Sequence, residues 1–218
     1  DDINGLLISK SETGICKVIC FSPDHRLTLP LMEEQAIVKL IQLWKREFTA
    51  LAQNESIRYI QIFENKGDVM GCSNPHPHGQ IWAQSSLPTQ VEKTHNSLKS
   101  YYDKNRKTLL EDYVQAELRV GTRVVLENDH FVALVPFWAI WPYETMIVSK
   151  RAVNKITNFT AEESSAFAKI LKQLTTKYDN LFNTSFPYSS GIHQAPTDSL
   201  LHPEWHFHMH FYPPLLRS

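Results

Sequence analysis

The chain has 218 residues, a formal net charge of −1 at pH 7 and 42% hydrophobic residues, enough for one large core or two small ones. That charge offers nucleic acid no overall positive field, and no apolar run approaches the ~20 residues a membrane span needs. Three cysteines (Cys16, Cys20, Cys72) form no disulfide framework, and the opening "DDINGLL" lacks the basic and apolar regions of a signal peptide, so the reading is a reduced, cytoplasmic, enzyme-like protein.

In chain order, "CKVICF" (16–21) reads as a strand, with Cys16 and Cys20 on one face and expected in the core. Residues 32–53 read as an amphipathic helix, with Ile37, Leu40, Ile41, Trp44, Phe48 and Leu51 at three- and four-residue steps. "IRYIQIF" (57–63) and "GQIWAQ" (79–84) read as strands. A polar, mostly helical excursion covers 89–119, with Tyr101, Tyr102, Leu109, Leu110 and Tyr113 on its packed side. The run Lys99, Lys104, Arg106, Lys107 is offset by Asp103, Glu111 and Asp112 and reads as a solvated helix face. "RVVLEN" and "HFVALVPF" flank Asn128 and Asp129 as a hairpin, and "ETMIVSK" (144–150) is a strand. A second long helix covers 160–182, opened by a capping box of Thr160 and Glu163 and packing through Phe167, Ile170, Leu171, Leu174, Tyr178 and Leu181. "EWHFHMHFYPP" closes the chain as a strand.

A weak internal repeat links the halves. Each runs strand, long helix, strand, then a strand with alternating histidines, and His76 and His78 precede His206 and His208 by 130 residues. The expectation is an α+β fold in which one unit occurs twice, giving a pseudo-symmetric sheet with one long helix per unit.

The most informative stretch is "GCSNPHPHGQIWA" (71–83). On extended backbone His76 and His78 project to the same face, while Pro75 and Pro77 fix φ near −65° and remove two N–H donors. Two imidazoles held this way can share a metal, act as nucleophile and helper, or do one job each. Gly71, Cys72, Ser73 and Asn74 offer backbone N–H groups and a hydroxyl, a phosphate cradle. Gln80 shares the histidine face, and its amide can donate to an oxyanion without exchanging a proton.

"FENKGDVMGCSNPHPHGQIWA" resembles the active-site signature of the galactose-1-phosphate uridylyltransferase family, a branch of the histidine triad superfamily. The likeness extends through "VICFSPDH", "VPFWAIWPYET", "KYDNLFNTSFPYS" and "HFYPPLLRS", and so covers essentially the whole chain, although family members continue past both ends. It implies two histidine-triad-like halves of mainly antiparallel sheet, 1–120 carrying the active site and 121–218 carrying a structural metal site. It also implies a ping-pong reaction. His78 attacks the α-phosphorus of UDP-glucose, glucose 1-phosphate leaves, and galactose 1-phosphate takes the uridylyl group. Gln80 stands where the superfamily's hydrolases carry a third histidine, and it would steady the transferring phosphoryl. Asn65, Gly71, Cys72 and Ser73 would contact ribose or phosphates.

The resemblance further implies zinc near the nucleophile, held by His25 and His76, with two more ligands upstream of Asp1. It implies zinc or iron at a second site of His193, His208 and His210. The family's fourth ligand there is a glutamate, and Thr94 occupies its position, with Glu92 and His95 out of register. The expected partner is a second copy of the chain, and "FWAIWPYE" (137–144) reads as core and homodimer contact. His206 points with His208 or is exposed, and His130 and His202 read as solvated. Two further readings stand beside the uridylyltransferase: a nucleotide phosphorylase or adenylyltransferase acting on ADP-glucose, and a metal-stabilised binding protein without turnover.

Overall fold

The computed structural model describes residues 5–214; the first four residues and Leu215 to Ser218, which carry part of the likeness noted above, lie outside the described residues. Eight strands form one antiparallel sheet in the order β1-β3-β2-β7-β8-β6-β5-β4. They are β1 (Gly14–Cys20), β2 (Tyr59–Lys66), β3 (His78–Gln84), β4 (Val124–Glu127), β5 (Phe131–Leu134), β6 (Thr145–Ser149), β7 (Tyr188–His193) and β8 (His208–Tyr212). Four α-helices connect them: α1 (Glu34–Ala52), α2 (Thr89–Asn105), α3 (Leu109–Val120) and α4 (Ala161–Leu181).

The repeat is visible as symmetry. The order β1-α1-β2-β3 recurs as β6-α4-β7-β8, and the halves meet where β2 pairs antiparallel with β7. In that pairing Ile62 lies opposite Ile192, its own counterpart 130 residues later, which places a pseudo-twofold axis between them. The sheet is therefore continuous across the two halves.

Helices α1 and α4 cover one face. The six predicted apolar positions of α1 are all buried, and with Phe167, Ile170, Leu171 and Leu174 of α4 they pack on Ile60, Ile62, Ile81, Ile147, Ile192, Met209 and Phe211. The capping box of α4 is formed: the Glu163 N–H donates to Thr160 Oγ1 at 3.1 Å, and the Thr160 N–H donates to Glu163 Oε2 at 2.9 Å. Leu181 departs from its predicted stripe and is exposed at the last residue of the helix, while Tyr178 one turn earlier is buried.

The other face is covered in part. Leu110 and Val114 of α3 pack on Val132, Leu134, Met146 and Val148, and Val91 and Leu98 of α2 pack on Tyr59, Ala195 and Trp205. Nothing comparable covers that face of β1 and β3 among the described residues. Cys16 and Cys20 are consequently exposed rather than in the core, beside Val18 at 65% exposure. Alternation was right and the covered face was the other one: Lys17 and Ile19 turn toward α1, where Lys17 pairs with Glu47. The segment 137–144 also stays on the surface, with Phe137, Trp138 and Ile140 exposed, so its reading as core is corrected.

Candidate active site and metal centre

β3 is held between β1 and β2, so its backbone is fixed from both sides. Strand alternation sends Gly79, Ile81 and Ala83 toward α1 and leaves His78, Gln80 and Trp82 on the open face. The β1 ladder runs past the strand's start, where the Phe21 N–H donates to the Pro77 carbonyl at 3.0 Å. Pro77 is buried there, and its missing N–H costs the sheet nothing because the neighbouring β1 strand needs only its carbonyl.

His78 Nδ1 lies 2.8 Å from the His76 carbonyl oxygen. A carbonyl only accepts, so Nδ1 carries the proton, and in the neutral ring Nε2 keeps its lone pair. Among the described residues neither His78 Nε2 nor the Gln80 amide has a protein hydrogen-bond partner. One ring nitrogen is thus tied down and the other is available beside a free amide. Gly79 permits this packing: a Cβ there would stand 3.1 Å from the Phe21 ring and from the Phe63 carbonyl oxygen.

The preceding loop uses part of its own donors. Gly71 has φ of +79°, a left-handed conformation that suits glycine, and its N–H donates to the Asp68 carbonyl at 2.9 Å. The Cys72 N–H reaches the Gly67 carbonyl at 3.4 Å, and its Sγ lies 3.1 Å from the Asn74 carbonyl. The turn therefore engages two of the N–H groups read as a phosphate cradle, while Ser73 is exposed. Asn65 lies near the end of β2, where its Oδ1 accepts from the Ser189 hydroxyl at 2.6 Å.

His25 and His76 do meet. Their Nδ1 atoms are 2.7 Å apart and the rings cross at 83°. No third histidine, cysteine or carboxylate joins them to form a ligand group among the described residues. Two imidazoles are fewer than a zinc ion requires, so these residues alone do not complete a site.

His193, His208 and His210 converge, each offering a ligand nitrogen within 4.8 Å of the others. Adjacent positions on β7 and β8 produce this: His193 pairs with His208 across the ladder, and His210 follows on the same face. Burial lowers the His193 pKa to about 4 and pushes His208 and His210 well below the usual imidazole range. All three are therefore neutral at pH 7, the state a metal ligand needs. His208 Nδ1 is bonded to the His206 carbonyl at 2.8 Å, repeating the His78–His76 arrangement, and His210 Nδ1 is buried without a hydrogen-bond partner. Three neutral imidazoles, two of them buried and one orphaned, fit a metal ion.

The group opens on a cavity of about 890 Å³ whose wall includes Thr94, Lys93 and Glu144. Glu92 is exposed and does not line it. Sequence reasoning missed Glu144: it is buried, its Oε2 accepts from the Ile140 and Trp141 N–H groups, and its Oε1 lies 3.9 Å from His210 Nδ1. The only signal was a carboxylate at the head of a predicted strand. His206 is neither exposed nor turned to the cavity; it is fully buried between the Thr108 hydroxyl and the Ser149 carbonyl, each at 2.7 Å. His202, read as solvated, is buried too, with Asp198 and Glu204 on either side.

With this geometry in place, the chain can be set beside known proteins. Residues 1–88 match the galactose-1-phosphate uridyl transferase N-terminal domain, and residues 92–218 match the C-terminal domain of the same family. The galactose-1-phosphate uridylyltransferase of Haemophilus influenzae is 50% identical over 98% of this chain and 60% of its own length. That of Saccharomyces cerevisiae is 49% identical over 99% of this chain and 61% of its own length. A solved uridylyltransferase superposes with a TM-score of 0.86 at 27% identity, over 93% of this chain and 66% of that one. An ADP-glucose phosphorylase from Arabidopsis thaliana, solved with bound ADP-glucose, gives 0.84 at 26% identity, over 94% and 65%. The chain thus spans about 60% of the length of the curated relatives it matches. Both domain matches and half-identity to named relatives across nearly the whole chain agree: the chain belongs to the galactose-1-phosphate uridyl transferase family.

Proposed function

We propose that this chain carries the uridylyl-transfer centre of a galactose-1-phosphate uridylyltransferase, with His78 as nucleophile. The observation that supports this most is the His78 ring, whose Nδ1 is bonded to the His76 carbonyl at 2.8 Å while Nε2 faces the open side of the sheet beside Gln80. In the first half-reaction the Nε2 lone pair forms a P–N bond to the α-phosphorus of UDP-glucose. The phosphoanhydride bond breaks, and its electron pair leaves on glucose 1-phosphate. In the second, a phosphate oxygen of galactose 1-phosphate forms the new P–O bond as the P–N bond breaks, releasing UDP-galactose. The proton stays on Nδ1, which donates to the His76 carbonyl throughout; that bond holds the ring's orientation and stabilises the positive charge of the modified imidazole. Gln80 donates its amide N–H to a non-bridging oxygen as charge builds, and as a neutral amide it neither protonates a leaving group nor takes a proton from water. That suits transfer between phosphates better than hydrolysis.

In this reading Asn65, Gly71, Cys72 and Ser73 contact ribose or phosphates. Residues 1–120 form the half that carries the chemistry and 121–218 the half that carries the structural metal, zinc or iron, on His193, His208 and His210. The ion would supply cross-linking of β7 to β8. Zinc at His25 and His76 needs ligands beyond these two, so no step is derived through it. The protein acts in the cytoplasm as a homodimer.

The likeness to an ADP-glucose phosphorylase supports a second reading, in which the same histidine accepts an adenylyl group from ADP-glucose. One experiment separates the two: exchange of labelled glucose 1-phosphate into UDP-glucose and, separately, into ADP-glucose, with no second sugar phosphate present. The proposal predicts rapid exchange with UDP-glucose alone. Exchange confined to ADP-glucose selects the second reading, and none with either nucleotide sugar overturns both.

A further inference from the structure

A second cluster of ligand-bearing side chains lies outside everything used so far. His95 comes from α2, and His202 and Glu204 come from the loop between β7 and β8; each offers a ligand atom within 4.8 Å of the others. His202 and Glu204 are almost fully buried, at 5% and 6% exposure. The Glu204 Oε1 atom lies 2.8 Å from His202 Nδ1 and 3.4 Å from His95 Nδ1. Among the described residues Glu204 has no lysine or arginine partner; its ion-pair partners are these two histidines.

We propose that His95, His202 and Glu204 form a divalent-metal site of the zinc class, separate from the one on β7 and β8. Two imidazole nitrogens and one carboxylate oxygen are a donor set that zinc accepts, with room for water in the fourth position. Bond lengths of about 2.0–2.2 Å put ligand atoms roughly 3.3–3.5 Å apart around a tetrahedral ion, so spacings of 2.8 and 3.4 Å need small adjustments only.

Three features favour a metal over a plain hydrogen-bond network. The first is a ready outer partner: Asp198 Oδ1 lies 2.6 Å from His202 Nε2, so His202 can keep its Nε2–H on a carboxylate and turn Nδ1 to the ion. That carboxylate–histidine–metal arrangement fixes the ring and raises its basicity. The second is the state of His95. The indole N–H of Trp205 donates to His95 Nδ1 at 3.0 Å, and an indole is a donor only, so Nδ1 is unprotonated beside Glu204, and ligation there exchanges the indole hydrogen bond for the ion. The third is charge. A divalent ion balances the buried carboxylate of Glu204 and that of Asp198 without requiring protonated imidazoles.

The placement gives the ion a purpose. His202 has φ of +50°, a conformation that a histidine adopts at a cost, and the ligands would hold it. A metal here ties α2 to the loop leading into β8. Because α2 supplies Gln90, Lys93, Thr94 and Ser97 to the wall of the 890 Å³ cavity, the site would set that wall against His208 and His210. The inference stands independently of the uridylyl-transfer reading.

The test uses the full chain, stripped with a chelator, reloaded with excess Zn²⁺ and freed of unbound metal. Bound zinc per chain is measured for the wild type, His95→Gln, Glu204→Gln, His193→Ala and the His95→Gln/His193→Ala double variant. The expected result is one equivalent less in His95→Gln and in Glu204→Gln, a different equivalent less in His193→Ala, and two less in the double variant. A second measurement on the wild type does not depend on variants folding: carbethoxylation of His95, followed by peptide mass spectrometry with and without Zn²⁺, should slow at least tenfold with metal. Equal zinc in wild type and both site variants overturns the proposal. So does equal His95 modification with and without Zn²⁺, which would leave the cluster a hydrogen-bond network only.

Discussion

Gln80 carries the most specific residue-scale expectation. Its amide faces the same side of β3 as His78 and is bonded to no protein group among the described residues. Removing one preorganised donor from an oxyanion typically costs about 2.7–4 kcal/mol, or 10²–10³-fold in rate. Gln80→Ala should lower the single-turnover uridylylation rate by about that factor and change nucleotide affinity far less. A collapse of affinity with an unchanged chemical step would make Gln80 a binding residue instead. Glu64 gives a second expectation. It is buried on β2, accepts from the Tyr188 hydroxyl at 3.0 Å, and burial raises its pKa to about 7 despite nearby Lys66. The folded state therefore holds this proton more tightly than the unfolded state, where the value is near 4.5. Stability from this group is fully present below pH 4.5 and is lost as pH rises toward 7, by up to about 3 kcal/mol. Glu64→Gln should flatten urea-unfolding stability across that window, and an unchanged pH profile would contradict the assignment.

At the scale of elements, β3 places a residue without a side chain between His78 and Gln80. Gly79 sits where an added Cβ would press 3.1 Å from both the Phe21 ring and the Phe63 carbonyl. Gly79→Ala should displace the strand by a few tenths of an ångström and lower the uridylylation rate tenfold or more, in line with the sensitivity of reacting geometry to small misplacements. Circular dichroism should still report a folded sheet; full activity would show that β3 tolerates the shift. Legibility in the sequence followed period. The helical stripe of α1 and the alternation that brings His208 and His210 together were readable, because both depend on local geometry alone. The face covered at β1 was not, since Cys16 and Ile19 differ only in which side α1 packs on. His202 was misread because Asp198 and Glu204, which flank its ring, look like ordinary loop carboxylates. Glu144 lay unmarked for the same reason: it meets His210 only once β6 pairs with β8.

For the whole molecule, the proposed reading puts chemistry and support on the two halves of one duplicated sheet. In the order β3-β2-β7-β8, three strand spacings separate the strand of His78 from that of His208, roughly 14 Å across the sheet at about 4.8 Å per step. Both strands use the same device, a histidine Nδ1 bonded to the carbonyl two residues before it. Only the second is buried with two more imidazoles around it. A metal there binds the folded state and not the unfolded one, so it should act on stability. Stripping it with a mild chelator should lower the midpoint of thermal unfolding measurably while single-turnover labelling of His78 at 25 °C changes less than twofold. Loss of labelling in parallel with metal would place the ion in the chemistry instead.

The central claim is that His78 becomes covalently uridylylated, and it can be read directly. The protein is mixed with UDP-glucose, quenched under alkaline conditions that preserve phosphoramidates, digested and analysed by mass spectrometry. The account predicts a uridylyl group on the peptide containing His78, present in the wild type, absent in His78→Ala and discharged by galactose 1-phosphate. A uridylyl group on another residue, or none on His78 while glucose 1-phosphate is released, would contradict it.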